Sequence, residues 1–82
     1  MKHAGPGALD HLEPLLVQLR ALPDLKERTR GVFYRKSRAF LHFHEDPSGL
    51  FADIRRADGA FERVKVDGEA SQQEILRLAA DR

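Results

Sequence analysis

The spacing of the apolar residues changes twice along this 82-residue chain, and that change constrains the fold more than any other feature. Between positions 9 and 22, leucines recur every three or four residues, as on one face of a helix. The period then becomes two, as in strands with one buried face, and it turns helical again after position 71. This order predicts a single α+β domain, α-β-β-β-β-α, whose four-stranded antiparallel sheet carries both helices on one face.

Cap and turn residues set the predicted helix boundaries. Asp10 and Glu13 have the spacing of a capping box, which places Pro14 in the first turn, and Pro23 ends the helix. The Ser-Gln-Gln-Glu sequence at 71–74 predicts a second capping box and a short C-terminal helix. Residues 1–7 are expected to form a loose lead-in without a function.

Four strands are predicted between the helices, at 32–34, 40–45, 50–55 and 61–66, separated by turn-forming residues. A four-residue turn at 46–49 pairs Glu45 with Leu50, and this register places His42 opposite Asp53. The register of the first strand is left open.

This register sorts the side chains into two faces. The aliphatic face suits the two helices and comprises Leu41, Phe43, Leu50, Ala52, Ile54, Val64 and Val66. The other face, which we call the Phe/His face, comprises Phe40, His42, His44, Phe51, Asp53, Arg55 and Phe61, together with Arg63 and Lys65. Three exposed phenylalanines would form an apolar patch of the kind that marks a partner or ligand site. We therefore expect this face to form a homodimer interface or to bind a small molecule.

Size and composition narrow the class of protein. A chain this short buries a small core, and the absence of cysteine rules out disulfides and thiolate metal sites as supports, which favours self-association. Fourteen basic and thirteen acidic residues give no strong overall attraction to nucleic acid. No apolar run is long enough to span a membrane, and no signal-peptide pattern occurs, so we expect a cytoplasmic protein.

His42, His44 and Asp53 are the candidate metal ligands. Residues i and i+2 of a strand lie on one side of the sheet, and Asp53 lies directly across from His42 in the predicted register. Two imidazoles and a carboxylate resemble the ligand sets of catalytic zinc and non-haem iron. The alternative is an ordinary charged pair between His42 and Asp53, which would raise the pKa of His42.

Two other chemistries have less support. The serines at 37, 48 and 71 all have turn or cap explanations, so a nucleophilic hydrolase is poorly supported. Phenylalanines flanked by arginines could stack nucleic-acid bases, but known RNA-binding modules have another order of elements, and acidic residues dilute the field. Acid or base catalysis by His42, His44 or Glu45 stays open.

The stretches Gly31-Val32-Phe33, Phe40-Leu41-His42-Phe43-His44 and Ala52-Asp53 resemble a group of small bacterial α+β domains labelled luciferase-like. The resemblance covers about a third of the chain. It implies the same order of a leading helix and strands, and it singles out His42, His44 and Asp53 without implying a reaction. The chain has no histidine after His44, where that pattern has another near the C-terminus.

Overall fold

The computed structural model describes residues 2–82, which fold into two helices and one antiparallel sheet. The elements in chain order are β1 (Lys2–His3), α1 (Pro6–Arg20), β2 (Lys26–Thr29), β3 (Val32–Arg35), β4 (Arg38–Asp46), β5 (Gly49–Arg55), β6 (Phe61–Val66) and α2 (Glu69–Asp81). The sheet order is β2-β3-β4-β5-β6, and β1 pairs with the end of β4 that extends beyond β3. The α+β class and the antiparallel sheet are therefore confirmed, whereas the count of four strands is wrong.

The two additional strands carry little apolar signal. β2 reads Lys-Glu-Arg-Thr and lies at the edge of the sheet, where backbone pairing with β3 alone defines it. β1 is two residues long, and His3 pairs with His44. Residues 2 and 3 lie in the sheet and α1 begins at Pro6, so residues 2–7 do not form the loose lead-in predicted for 1–7, of which residue 1 lies outside the described residues.

α1 begins three residues earlier than its leucine stripe indicated. Pro6 occupies the first turn, where its fixed φ suits the helix and its missing N–H costs nothing. The Asp10–Glu13 capping box does not form, since both carboxylates pair with Arg30. Because α1 begins at Pro6, Pro14 lies in the helix interior rather than in the first turn.

Ser71 caps α2 as predicted, but from inside the first turn and not as the residue that precedes the helix. The helix starts at Glu69, so Ser71 is its third residue and Gly68 precedes it. The Ser71 hydroxyl accepts a hydrogen bond from the Gly68 N–H at 3.1 Å and donates one to the Gly68 carbonyl at 2.8 Å. Glu74 pairs with Arg77 instead of closing the box.

The predicted register of the central hairpin is confirmed. Glu45 pairs with Leu50 and His42 with Asp53, and one further pair, Asp46 with Gly49, tightens the connection. On β5, Ala52 and Ile54 are fully buried in the hydrophobic core, whereas Asp53 between them is a buried polar residue that contacts Arg63 on β6.

The predicted position of Phe40 on the Phe/His face is wrong. The β3–β4 register shifts so that Phe33 pairs with Leu41 but Tyr34 pairs with Ala39, which leaves Phe40 as the extra residue of a β-bulge. The bulge redirects its side chain, and Phe40 is only 4% exposed and part of the hydrophobic core. A strict alternation of side chains along β4 assumes a regular strand, so it could not reveal the bulge.

The hydrophobic core contains residues of both helices and of the sheet. One cluster of buried side chains contains five leucines of α1, Ile75 and Ala79 of α2, and Leu41, Phe43, Ala52 and Ile54 of the sheet. Among residues 2–82, no helix is both long and apolar enough to cross a membrane.

Candidate metal centre

Two adjacent strands bring His42, His44 and Asp53 onto one side of the sheet. The neighbours Phe43 and Ala52 are buried in the core, and this fixes the pleat of β4 and β5 and directs the two histidines and Asp53 to the opposite side. Both histidines are half-buried, and Asp53 is the one buried charged residue among residues 2–82, at 7% exposure.

Three ligand atoms converge on this side. Nδ1 of His42 lies 2.7 Å from Nε2 of His44, and the latter lies 3.3 Å from Oδ2 of Asp53. All three atoms fall within 4.8 Å of one another. Two ligand atoms that share one ion at about 2.1 Å can be at most about 4.2 Å apart, so small side-chain rotations would give all three access to a single ion.

The side-chain partner of Asp53 differs from its backbone partner. Although His42 faces Asp53 in the register, the carboxylate contacts His44, its diagonal neighbour. Arg63 on β6 donates two further hydrogen bonds, Nε to Oδ1 at 2.8 Å and Nη2 to Oδ2 at 3.0 Å. The predicted His42–Asp53 ion pair is thus replaced by a bidentate Arg63–Asp53 pair with His44 beside it.

The pKa shifts follow from these contacts. Burial, with the neighbouring His44 as the second cause, lowers the pKa of His42 below its usual 6.5, so the expected rise caused by Asp53 is outweighed. The Arg63 guanidinium lowers the pKa of Asp53 below 3.8 despite the desolvation of its carboxyl. A neutral imidazole beside an ionised carboxylate is the protonation state that a metal ion requires.

The Asp53 carboxylate is ionised and can only accept hydrogen bonds. The 2.7 Å contact between Nδ1 of His42 and Nε2 of His44 is a hydrogen bond in which either ring can donate, depending on the tautomers. Nδ1 of His44 is buried and has no partner among residues 2–82. If Nε2 of His44 binds a metal, the ring proton lies on that unpartnered nitrogen, so no carbonyl or carboxylate supports this ligand.

His3 belongs to the N-terminal segment for which the sequence predicts no function, yet the structure places it next to the candidate metal ligands. Its ring centroid lies 4.9 Å from that of His44 and 6.0 Å from that of His42. The contact depends on the pairing of β1 with β4, some 40 residues apart in the chain, and no local pattern signals it.

The remaining residues of the Phe/His face have varied environments. Phe61 is 40% exposed, and its ring centroid lies 5.1 Å from that of His42 and 4.6 Å from the Arg55 guanidinium carbon. Arg55 also donates to the backbone carbonyls of Ala39 and Gly59, at 2.6 and 2.9 Å. Phe51 is half-buried. With Phe40 in the core, the exposed aromatic surface is smaller than expected and centres on Phe61.

Comparison with protein-family models, with curated proteins and with solved structures finds no match to this chain. The resemblance to the luciferase-like group therefore stays a prediction, and the function must be inferred from the site itself.

Proposed function

We propose that this chain is a small metal-binding domain that holds one divalent transition-metal ion, zinc or iron(II), with His42, His44 and Asp53. The observation that carries the proposal is the convergence of the three ligand atoms within 4.8 Å. In this proposal both helices cover the aliphatic face, which leaves the opposite face open to an ion from solvent.

The ligand set favours a metal with an open coordination position. Two histidines and one carboxylate suit zinc and non-haem iron better than magnesium or calcium, which prefer all-oxygen sites. Three protein ligands leave at least one position for water or for a small ligand. The expected small-molecule site and the metal site then coincide, with Phe61 and His3 at the rim.

In the metal-free site, Arg63 neutralises the negative charge of Asp53. It holds Asp53 ionised and in place, but its positive charge opposes a divalent ion. Oδ2 of Asp53 can still accept a further partner, since each carboxylate oxygen has two lone pairs. We expect moderate affinity, because of Arg63 and because His44 lacks a supporting hydrogen bond at Nδ1.

Calorimetric titration of tag-free protein with zinc tests this proposal. We expect one ion per chain in the native protein. His42→Ala should weaken zinc binding by more than ~10–100-fold, the loss that is typical when a residue that only hydrogen-bonds to a metal ligand is removed. His11→Ala is the control, because His11 is exposed on α1 and outside the ligand group. Absence of binding, or equal effects of the two substitutions, would contradict the proposal.

Self-association through the same face is a second candidate. The observation that favours it is Phe61, one of two large apolar side chains that are exposed among residues 2–82. A large exposed ring beside a charged cluster is typical of interface residues, where aromatic residues and arginine are enriched. This candidate predicts a homodimer and is compatible with a metal held nearby.

A further inference from the structure

A cavity of about 350 Å³ lies between the β3–β4 hairpin, the end of β5 and the C-terminal end of α2. This volume falls in the range of small-molecule sites. Its lining includes one carboxylate, Asp81, and six cationic side chains, those of Arg35, Lys36, Arg38, Arg55, Arg56 and Arg82. None of the three candidate metal ligands contributes to it.

The basic cavity concentrates positive charge, although the chain as a whole is nearly neutral. The whole chain has a net charge of +1, yet six of its fourteen basic residues line one cavity with a single acid. That acid, Asp81, lies 3.3 Å from Arg77 on the same helix. Lys36 and Arg38 form no ion pair with any residue from 2 to 82. Arg56 pairs with Asp58 and Arg82 with Glu62, which leaves four of the six cations without a carboxylate partner among residues 2–82, so the local field favours an anion.

Two buried donors in the lining residues have no acceptor. Arg35 donates from Nη2 to the carbonyl of Ala79 at 2.7 Å and stacks on Phe40, but its Nε is buried without a partner among residues 2–82. Arg82 pairs through Nη2 with Glu62, and its Nη1 is likewise buried without a partner within that range. A buried charged donor without an acceptor costs free energy, so both guanidinium groups have hydrogen-bonding capacity that residues 2–82 leave unused.

The hairpin that carries two of the cations has an uncommon backbone. Lys36 and Ser37 both have positive φ, 51° and 68°. Two successive residues in this region form a type I′ turn, which glycine and asparagine normally occupy. Strained backbone of this kind is concentrated at functional sites, and here it holds Lys36 and Arg38 at the cavity.

We propose that the basic cavity binds the phosphate group of a small ligand. Guanidinium groups match phosphate oxygens in two-point hydrogen bonds, and lysine adds a compact charge. A nucleic-acid strand fits less well, because the cations surround one compact cavity instead of tracking along the sheet, where Asp53 and Glu62 interrupt the positive field.

Titration of ¹⁵N-labelled, metal-free protein with inorganic phosphate, followed by amide spectra, tests the proposal. We expect saturable shifts confined to residues 35–39, 55–57 and the end of α2. Arg38→Gln and Lys36→Gln should each weaken binding roughly 10-fold, the usual loss for one charge-assisted contact. Arg28→Gln should leave it unchanged, since Arg28 is equally exposed but lies on β2 outside the cavity lining.

Three outcomes would overturn the proposal. Phosphate could give no saturable shifts, or Arg28→Gln could weaken binding as much as Arg38→Gln, which would indicate unspecific charge attraction. An octathymidine strand could also bind more tightly than phosphate with shifts that spread across the sheet, which would indicate a nucleic-acid surface. The amide spectra of the variants themselves show whether each one is folded.

Discussion

Asp53 is the residue through which the site can exist in two states. In the metal-free state Arg63 occupies both of its oxygens and His44 lies beside them. In the proposed metal-bound state the ion takes one oxygen, and the positive charge of Arg63 becomes a cost. In this proposal an arginine and a metal ion compete for one carboxylate.

Replacing Arg63 tests this competition. Arg63→Gln should tighten zinc binding by roughly 10-fold, the effect of removing a unit charge ~6 Å from a divalent ion in a water-like dielectric. The metal-free variant should be less stable, because Asp53 loses its partner. Lys65→Gln is the control. It removes the same charge from β6 two residues away, and Lys65 forms no ion pair among residues 2–82. Weaker zinc binding in Arg63→Gln would show that Arg63 positions Asp53 instead.

The stability of the metal-free protein should fall on acidification in two steps. The pKa of His42 is below 6.5 in the fold, so the unfolded chain binds protons first and stability drops as the pH falls through about 6.5. The pKa of Asp53, which faces His42, His44 and Arg63, is below 3.8, so its stabilisation is complete above 3.8 and is lost below it.

Urea unfolding at a series of pH values checks both steps. His42→Gln should remove the loss of stability between pH 7 and 6. Asp53→Asn should reduce the loss below about pH 4, to which other carboxyls with a lowered pKa, among them Glu13 and Asp46, also contribute. Asp24→Asn, which removes an exposed carboxylate without an ion pair among residues 2–82, is the control. A native profile that is flat from pH 7 to 6 would contradict the assignment for His42.

At the residue level the sequence identified His42, His44 and Asp53 because their spacing and the hairpin register follow from local pattern. It could not show that Asp53 contacts His44 rather than His42, since both lie on the same face and side-chain rotation decides between them. It placed Arg63 on the same face as Asp53 but did not pair the two, because no register was assigned between the last two strands. It could not identify His3 as a neighbour, because β1 and β4 come from distant parts of the chain.

Among the elements, the bulge in β4 has the largest effect on the surface of the molecule. It moves Phe40 into the core and leaves Phe61 as the main exposed ring of the Phe/His face. The signal for such a bulge lies in the pairing of β3 with β4, including the positive φ values at Lys36 and Ser37, and not in the alternation of apolar residues.

Substitution of the two phenylalanines checks the bulge. Phe40→Ala should cost about 3–5 kcal/mol of unfolding free energy, as for a fully packed aromatic residue, whereas Phe61→Ala should cost less than about 1 kcal/mol. Denaturant unfolding measures both. If Phe40→Ala does not fold, Phe40→Leu is measured instead, with an expected cost of about 1 kcal/mol of unfolding free energy. Equal costs for Phe40→Ala and Phe61→Ala would contradict the placement of Phe40.

The elements with a clear apolar period were predictable, and those defined by backbone pairing alone were not. The leucine stripe, the β4–β5 register and the C-terminal helix all follow from burial of one face. β2 contains only polar residues, and the true start of α1 depends on Pro6 and on a hydrogen bond from the Gly5 N–H to Glu45, a contact between distant segments.

For the whole molecule, the second candidate function predicts that a second copy of the chain covers the exposed ring of Phe61. If it is, sedimentation should show a dimer at micromolar concentration, and Phe61→Glu should yield a monomer because it buries a charge at the interface. Val17→Glu is the control, since Val17 is the other exposed large apolar side chain and lies on α1. A monomeric native protein, or dissociation by both variants, would argue against this interface.

The most direct test of the central claim is anomalous diffraction at the zinc edge from crystals of the tag-free protein soaked in zinc. We predict one peak per chain, at about 2.0–2.2 Å from Nδ1 of His42, Nε2 of His44 and a carboxylate oxygen of Asp53, with the Arg63 guanidinium displaced. A peak elsewhere, or no peak while Arg63 keeps its two hydrogen bonds to Asp53, would show that these residues form a structural ion-pair cluster and not a metal centre.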